Sequence, residues 1–456
     1  MDKGNFRFNK VLYLVLFMKI LIIGGTGELG QWFARFFLNQ GYEVTVSGKS
    51  GRVEIAKKLG VEFADDVKQS AKNSDIVMIS VPINVTEKVI KDVAPNMRSG
   101  SLLMDVTSVK VGPMNAMKHF APEGVEILGT HPMFGPSIPN LKGQTIILCP
   151  DKDYKKGYWL PIIKNIFESN GAHIEILDAE KHDKMMAVIQ GLTHFAYITI
   201  GSTFTELNFD VAESRKFMSP IYEIMVDIVG RILAQNPYLY AMIQMNPYIT
   251  PVHESFINQC KKISDIVRKQ DIESFVREMK KAAIHFRDTE SALRRSDKLI
   301  NLKISEYEYL LHSLEKNKEV ALKHIYSGVV HTGVLKNVSP ISVRLKRNKR
   351  SIELKLENIQ LLKDSELQRW KIENLQHTNR DISVIIPKNA NPEVIKDIIS
   401  KTSGVISVEI IDIYDKLPNT DRNSVTYRIT IIGDRDPYEI LSKVEDLLIG
   451  IGCIRR

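Results

Sequence analysis

The order of elements in residues 19–47 narrows the fold more than any other feature of the chain. Lys19-Ile20-Leu21-Ile22-Ile23-Gly24 is a β-branched apolar run suited to a strand buried on both faces. It enters Gly25-Thr26-Gly27-Glu28-Leu29-Gly30, a GxGxxG, followed by a helix-like segment at 31–40 and a second strand at 41–47. Strand, glycine turn, helix and strand in that space make a dinucleotide-binding βαβ unit. Gly25, Gly27 and Gly30 permit the tight turn, close approach to a pyrophosphate and helix–strand packing. Thr26, Glu28 and Leu29 share that turn, and the helix N-terminus offers amides and partial positive charge to phosphates.

Cofactor choice is set just after the second strand. An acidic residue there would hydrogen-bond the ribose of NAD. The chain instead reads Ser47-Gly48-Lys49-Ser50-Gly51-Arg52, with no carboxylate. The hydroxyls of Ser47 and Ser50 and the cations of Lys49 and Arg52 suit a 2′-phosphate, so NADP is expected ahead of NAD. The plainer reading makes Lys49 and Arg52 solvated residues at a helix start.

Strands alternate with helices to about residue 180. Short apolar runs at 61–64, 75–81, 102–106, 125–129, 145–149 and 173–177 extend the sheet. Their ends, Val81-Pro82, Thr107-Ser108-Val109-Lys110 and Gly129-Thr130-His131-Pro132, are expected to converge beside a nicotinamide, at the carboxyl edge where open parallel sheets bind ligands. The prolines and glycines of 129–136 predict a sharp loop that presents His131 as a base. A turn histidine with a satisfied hydrogen bond is the alternative.

The strand rhythm stops near residue 181. Residues 184–207 form one long apolar segment, but Gln190, His194 and Glu206 and the lack of a second such span argue against a membrane helix. A core or a dimer interface suits it better. Gln190 and His194, four apart, share a face and need either a ligand or a buried network. Ser219-Pro220 opens another helix, to about residue 233, whose apolar pattern contains Arg231. A buried arginine needs a carboxylate, supplied by a ligand or by Asp227 one turn away. Amphipathic helices are expected at 248–269 and 271–299.

These residues resemble the prephenate dehydrogenase family over 19–300. The resemblance rests on the glycine turn, Thr107-Ser108-Val109-Lys110, the stretch 129–136, Gly191-Leu192-Thr193-His194-Phe195, and the stretch 230–240. It implies oxidative decarboxylation of prephenate to 4-hydroxyphenylpyruvate in tyrosine biosynthesis, with arogenate as the alternative substrate. It implies that His131 takes the proton of the substrate hydroxyl and that Ser108 orients both. Arg231 would clamp a carboxylate, Lys110, Gln235 and Tyr240 would line the substrate side, and His194 would line the pocket or contact the cofactor. Val81, Pro82 and Thr107 would border the cofactor. A homodimer through the helical domain is also implied.

Residues 301–325 are expected to be a helical linker, and 326–380 a small β-rich module with a basic turn at 344–350. Residues 381–456 read β-α-β-β-α-β, a ferredoxin-like order similar to ACT sensing domains and to the anticodon-binding domain of phenylalanyl-tRNA synthetase. Tyrosine feedback is the expectation if it senses, and RNA binding is the rival reading of the tail. The whole is an α/β Rossmann domain at 18–180, an all-α dimerisation and substrate domain at 181–300, the linker and β module at 301–380, and an α+β domain at 381–456. A net charge of +8 over 456 residues favours anionic ligands without requiring nucleic acid. Three scattered cysteines and no CxxC point away from a metal cluster and toward a reducing cytoplasm. The apolar run within 11–17 is too short for a membrane span, and 1–17 is read as an extension or a misassigned start.

Overall fold

A computed structural model of the chain describes residues 18–48, 52–151, 157–347, 350–418, 420–433 and 436–456. Lys49, Ser50 and the extension at 1–17 lie outside the described residues. The chain divides into two compact units, Met1–Arg287 and Asp288–Arg456.

The first unit is built on β1 Lys19–Ile23, β2 Glu43–Ser47, β3 Glu62–Phe63, β4 Ile76–Ile79, β5 Leu102–Asp105, β6 Glu126–Pro132, β7 Thr145–Pro150 and β8 His173–Ile176. Their order in the sheet is β3-β2-β1-β4-β5-β6-β7-β8. The strands from β3 to β6 are parallel, and β7 runs antiparallel to β6. Chain order reverses between β1 and β4, the switch point at which such sheets bind dinucleotides. Central strands are buried on both faces, as the unbroken apolar runs Ile20–Ile22 and Ile76–Ile79 require.

The turn after β1 explains its glycines. Gly24 has φ +84°, and a Cβ there would lie 2.1 Å from the Ser80 carbonyl oxygen. A Cβ on Gly30 would lie 2.3 Å from the Gly24 carbonyl oxygen, so the helix Glu28–Asn39 can seat on the turn only without a side chain there.

The first unit continues with the helix Ala179–Met186, a π-helical turn Ala187–Leu192, and the helix Thr193–Glu206. The single long segment expected at 184–207 is one unbroken helical run with a π-helical turn inside it. Helices Pro220–Leu233, Pro237–Gln244, Thr250–Arg268 and Ile272–Phe286 come next. The helix expected at 271–299 is broken at Arg287, φ +66°, and a new one spans Thr289–Glu315. The boundary expected near 300 falls inside that helix. No glycine or proline marks the break; Asp288 before Thr289 and Glu290 is its only sequence signal.

The second unit holds a five-stranded antiparallel sheet ordered β12-β11-β10-β9-β13, from β9 Glu319–His324, β10 Val330–Val338, β11 Ser342–Arg347, β12 Arg350–Lys355 and β13 Ile359–Leu362. Of the basic stretch at 344–350, residues 344–347 lie on β11 and Arg350 on β12, with Arg347 opposite Arg350, while 348 and 349 lie outside the described residues. A second sheet is ordered β15-β16-β14-β17, from β14 His377–Pro387, β15 Val405–Tyr414, β16 Arg422–Ile432 and β17 Ile454–Arg455. With helices Pro392–Ser400 and Pro437–Gly450 this is the βαββαβ order read from the sequence. Its core is Ile382, Val384, Ile399, Val425, Tyr427, Ile429 and Val444.

Gly24→Ala should lower the stability of the first unit by at least ~2 kcal/mol, from left-handed backbone strain and the Ser80 clash together. Chemical unfolding of the variant and the parent measures the difference.

Candidate active site

Strand β6 positions the central side chain. Its pairing with β5 ends at Gly129, opposite Asp105, but its pairing with β7 continues through Thr130, His131 and Pro132. His131 therefore stands two residues beyond the parallel edge, on a paired strand and not in the loop that the prolines suggested. It is 2% exposed, and both ring nitrogens are occupied. Nδ1 lies 2.8 Å from His182 Nε2, and Nε2 lies 3.2 Å from the Gln190 side-chain nitrogen.

Behind His131 a polar network fills the junction between sheet and helices. His182 Nδ1 lies 2.7 Å from Asp183 Oδ1. The same carboxylate accepts the backbone N–H of Lys110 at 2.8 Å and of Val111 at 2.9 Å. Those amides open the helix Val111–Phe120, where an anion is favoured. Asn246, also buried, donates to the Asp183 carbonyl at 2.8 Å. Lys110 and Asp105 form an ion pair in which both side chains are 0% exposed. The Lys110 ammonium also donates to the Thr130 carbonyl at 2.8 Å, which fixes the backbone next to His131.

Burial holds the His131 imidazole well below its ordinary pKa, and the neighbouring His182 and Lys110 push it in the same direction. His182 is lowered by burial, against the opposing pull of Asp183. Both rings are therefore neutral at physiological pH, and a neutral His131 carries the lone pair a base needs.

On the helical side, the His194 ring meets the Tyr240 ring edge-on at 4.5 Å between centroids. The Tyr240 hydroxyl donates to Gln235 Oε1 at 2.9 Å. Burial raises the Tyr240 pKa while the charge of Arg231 draws it down, which puts Arg231 within electrostatic reach of that hydroxyl. Gln244 ties this helix to the π-helical turn by donating to the Gly191 carbonyl at 3.1 Å.

A family model described as "Prephenate dehydrogenase, nucleotide-binding domain" matches residues 33–176, and one described as "Prephenate dehydrogenase, dimerization domain" matches 178–281. A protein of Methanocaldococcus jannaschii named "Probable arogenate/prephenate dehydrogenase" is 45% identical over 418 residues, covering 90% of this chain and 92% of that one. The chain belongs to the prephenate dehydrogenase family. The T-protein of Enterobacter agglomerans is 33% identical over 227 residues, 50% of this chain and 56% of the T-protein. The solved Aquifex aeolicus prephenate dehydrogenase, in complex with hydroxyphenyl propionate and NAD+, aligns with a TM-score of 0.49 and 20% identity over 60% of this chain and 98% of that one.

Several residues singled out in this prephenate dehydrogenase family chain sit elsewhere than expected. Lys110 does not line a substrate surface; its ammonium is enclosed by Asp105, Thr107 and Thr130. Ser108 makes no hydrogen bond to His131 among the described residues; His182 and Gln190 take both ring nitrogens. Thr107 is 5% exposed, and its hydroxyl bonds the Asp105 carboxylate and the Val109 carbonyl. Ser47 is 3% exposed, which leaves little of its hydroxyl for a 2′-phosphate. Arg231 is exposed and not buried, and Asp227 pairs with Arg215 at 2.7 Å.

Gly25, Thr26, Gly27, Glu28, Leu29 and Gly30 form the turn after β1 and the first turn of the helix Glu28–Asn39. No side chain caps that helix, so its leading amides face outward without a protein acceptor from the cap residue, which fits a pyrophosphate. Val81 and Pro82 come after β4 across the switch point, and exposed Arg52 precedes the helix Val53–Leu59. His182, Asp183, Asp105 and Asn246 were not singled out by sequence. Only the pair His182-Asp183, adjacent to the long apolar segment, offered a signal.

Lys110→Met should destabilise the first unit by ~3–5 kcal/mol, because it leaves the Asp105 carboxylate buried and unpaired. Denaturant unfolding measures this; a changed KM at full stability would instead return Lys110 to the substrate. The lowered histidines also give a pH dependence. Below about 6.5 the unfolded chain protonates its imidazoles while folded His131 and His182 stay neutral, so stability is complete above that pH and falls as pH drops through it. Urea midpoints at about pH 7.5 and about pH 5.5 should show that fall. The fall should be smaller in His131→Asn, which has one fewer buried imidazole.

Proposed function

We propose that the chain catalyses oxidative decarboxylation of prephenate to 4-hydroxyphenylpyruvate, with hydride passing to NAD(P)+ and NADP preferred. The observation that carries this reading is a neutral, buried His131 whose Nε2 meets the side-chain amide of Gln190, while Nδ1 is held from behind. When bound, the nicotinamide supplies the hydride acceptor. Loss of carbon dioxide from the opposite ring carbon makes the product aromatic, so the protein has chiefly to orient the ring and take one proton.

In this reading His131 Nε2 accepts the proton of the substrate hydroxyl and returns it to the phenolate oxygen once carbon dioxide has left, so that the product carries its 4-hydroxyl. The Gln190 amide, which holds that lone pair in the free protein, would yield it to the hydroxyl and could then donate to the hydroxyl oxygen. Arg231 grips a substrate carboxylate with its planar fork, and Tyr240, Gln235 and His194 shape the pocket around it. The glycine turn and the uncapped helix behind it would hold the pyrophosphate. Arg52, with Lys49 and Ser50, would favour a 2′-phosphate over a bare ribose. Arogenate, with an amino group in place of the keto oxygen, is the alternative substrate, in keeping with the name of the Methanocaldococcus relative.

Homodimer formation belongs to the same reading. It is supported by the description of the matched dimerization domain and by Ile221, Met279 and Ile284, which are 71%, 69% and 78% exposed on helices of that region. A cytoplasmic location accords with three free cysteines.

Steady-state assays with both substrates and both cofactors test the proposal. Prephenate with NADP should give the highest kcat/KM. His131→Asn should keep cofactor affinity and lose ~10²–10⁴-fold in kcat, and Arg231→Ala should act mainly on the substrate KM. Near-parental turnover in His131→Asn would remove the base.

A further inference from the structure

The network behind His131 has a direction. Asp183 is the fixed end, because its Oδ1 accepts the Lys110 N–H and its Oδ2 the Val111 N–H. Surrounded by donors, this carboxylate acts as an acceptor toward its third neighbour, His182 Nδ1, at 2.7 Å. That bond places the His182 proton on Nδ1. A neutral imidazole with its proton on Nδ1 has only a lone pair on Nε2. His182 Nε2 is therefore an acceptor, and the group 2.8 Å away, His131 Nδ1, must donate. The His131 proton is thus on Nδ1, and its lone pair is on Nε2. The Gln190 side-chain amide lies 3.2 Å from that Nε2, on the side away from His182.

We propose that His182 and Asp183 are positioning residues that lock His131 in the tautomer whose bare Nε2 faces the substrate side. The lock rests on the reading of His131 as the base. It also gives the charge formed in the reaction a counter-charge. Once Nε2 takes the substrate proton, His131 is an imidazolium whose Nδ1–H points through His182 to the Asp183 carboxylate. Inverting the chain of bonds would put the His131 proton on Nε2, where it blocks proton uptake. The other groups near these rings do not compete for the roles. The Lys110 ammonium is spent on Asp105, Thr107 and Thr130, and Asp105 faces Lys110 and Thr107. The Cys149 thiol, on β7, is pushed up to about 12 by burial and stays neutral.

The length of the side chain at 182 allows a discriminating pair of variants. A glutamine there can bring its carbonyl oxygen near the position of the imidazole Nε2 and accept from His131 Nδ1–H. A leucine has similar bulk and accepts nothing. In the full-length protein, His182→Gln should stay within ~10-fold of parental kcat, while His182→Leu should fall ~10²–10⁴-fold with cofactor KM unchanged. Nitrogen-15 NMR of histidine-labelled parental protein, at neutral pH and without ligand, should show His131 protonated on Nδ1 and bare on Nε2. The signal is assigned by its loss in His131→Asn. The same tautomer should persist in His182→Gln and give way to a mixture in His182→Leu.

Equal losses in the glutamine and leucine variants would overturn the lock, since the acceptor would then be irrelevant. So would a parental His131 ring protonated on Nε2, a result that needs no variant to fold. The test separates the lock from the role of the base: an active His131→Asn removes the base, whereas the NMR tautomer reports the lock with no turnover at all.

Discussion

The carboxylate of Asp183 is the joint on which the first unit depends. It sits on the first helix after the sheet and takes two backbone amides from the start of the helix Val111–Phe120. Those amides belong to the turn that also carries Lys110, whose ammonium enters the sheet and pairs with Asp105 at the end of β5. One acidic side chain thus fastens the helical part to the carboxyl edge of the sheet, and a second neutralises the lysine beneath it. A wholly apolar junction of the same volume would fold at no greater cost, since buried ion pairs repay their desolvation poorly. What it would lack is direction. Hydrogen bonds fix orientation in a way that apolar contacts do not, and His131 depends on being oriented by its neighbours.

Much of this arrangement was legible in residue order, and the parts that were not share a physical cause. The glycine turn, the parallel strands and the βαββαβ tail announce themselves through local periodicity and turn chemistry, which act over a few residues. His131 was found because its strand ends in prolines and glycines. His182 and the Asp183 behind it were missed because they lie some fifty residues further on, in a helix whose pattern looks like an ordinary solvated start. Lys110 was misplaced for the converse reason. A lysine after a strand is usually at the surface, and only the tertiary pairing with Asp105 shows why this one is enclosed. Arg231 erred in the opposite direction: its apolar neighbours suggested burial, but the helix turns it outward and leaves Asp227 to Arg215.

The π-helical turn Ala187–Leu192 shows how the second half of the site is aimed. A regular helix would place Gln190 and His194 one above the other on a single face. The additional residue in the turn rotates the helix Thr193–Glu206 relative to it. Gln190 consequently reaches His131, while His194 packs on Tyr240 in the neighbouring helix. Such turns weaken the local backbone ladder and are found mostly where function requires them. Here two groups offset the loss. Gln244 donates to the Gly191 carbonyl, and Gly191 itself leaves room for Ile249, which would lie 2.7 Å from any Cβ at that position. The residue between Gln190 and Leu192 must therefore be small for a reason of packing, not of backbone freedom. A side chain there would push Ile249 away, and with it the segment that carries Asn246 back to Asp183. The two ends of the site, the amide in front of His131 and the carboxylate behind it, are in this way set by one stretch of chain.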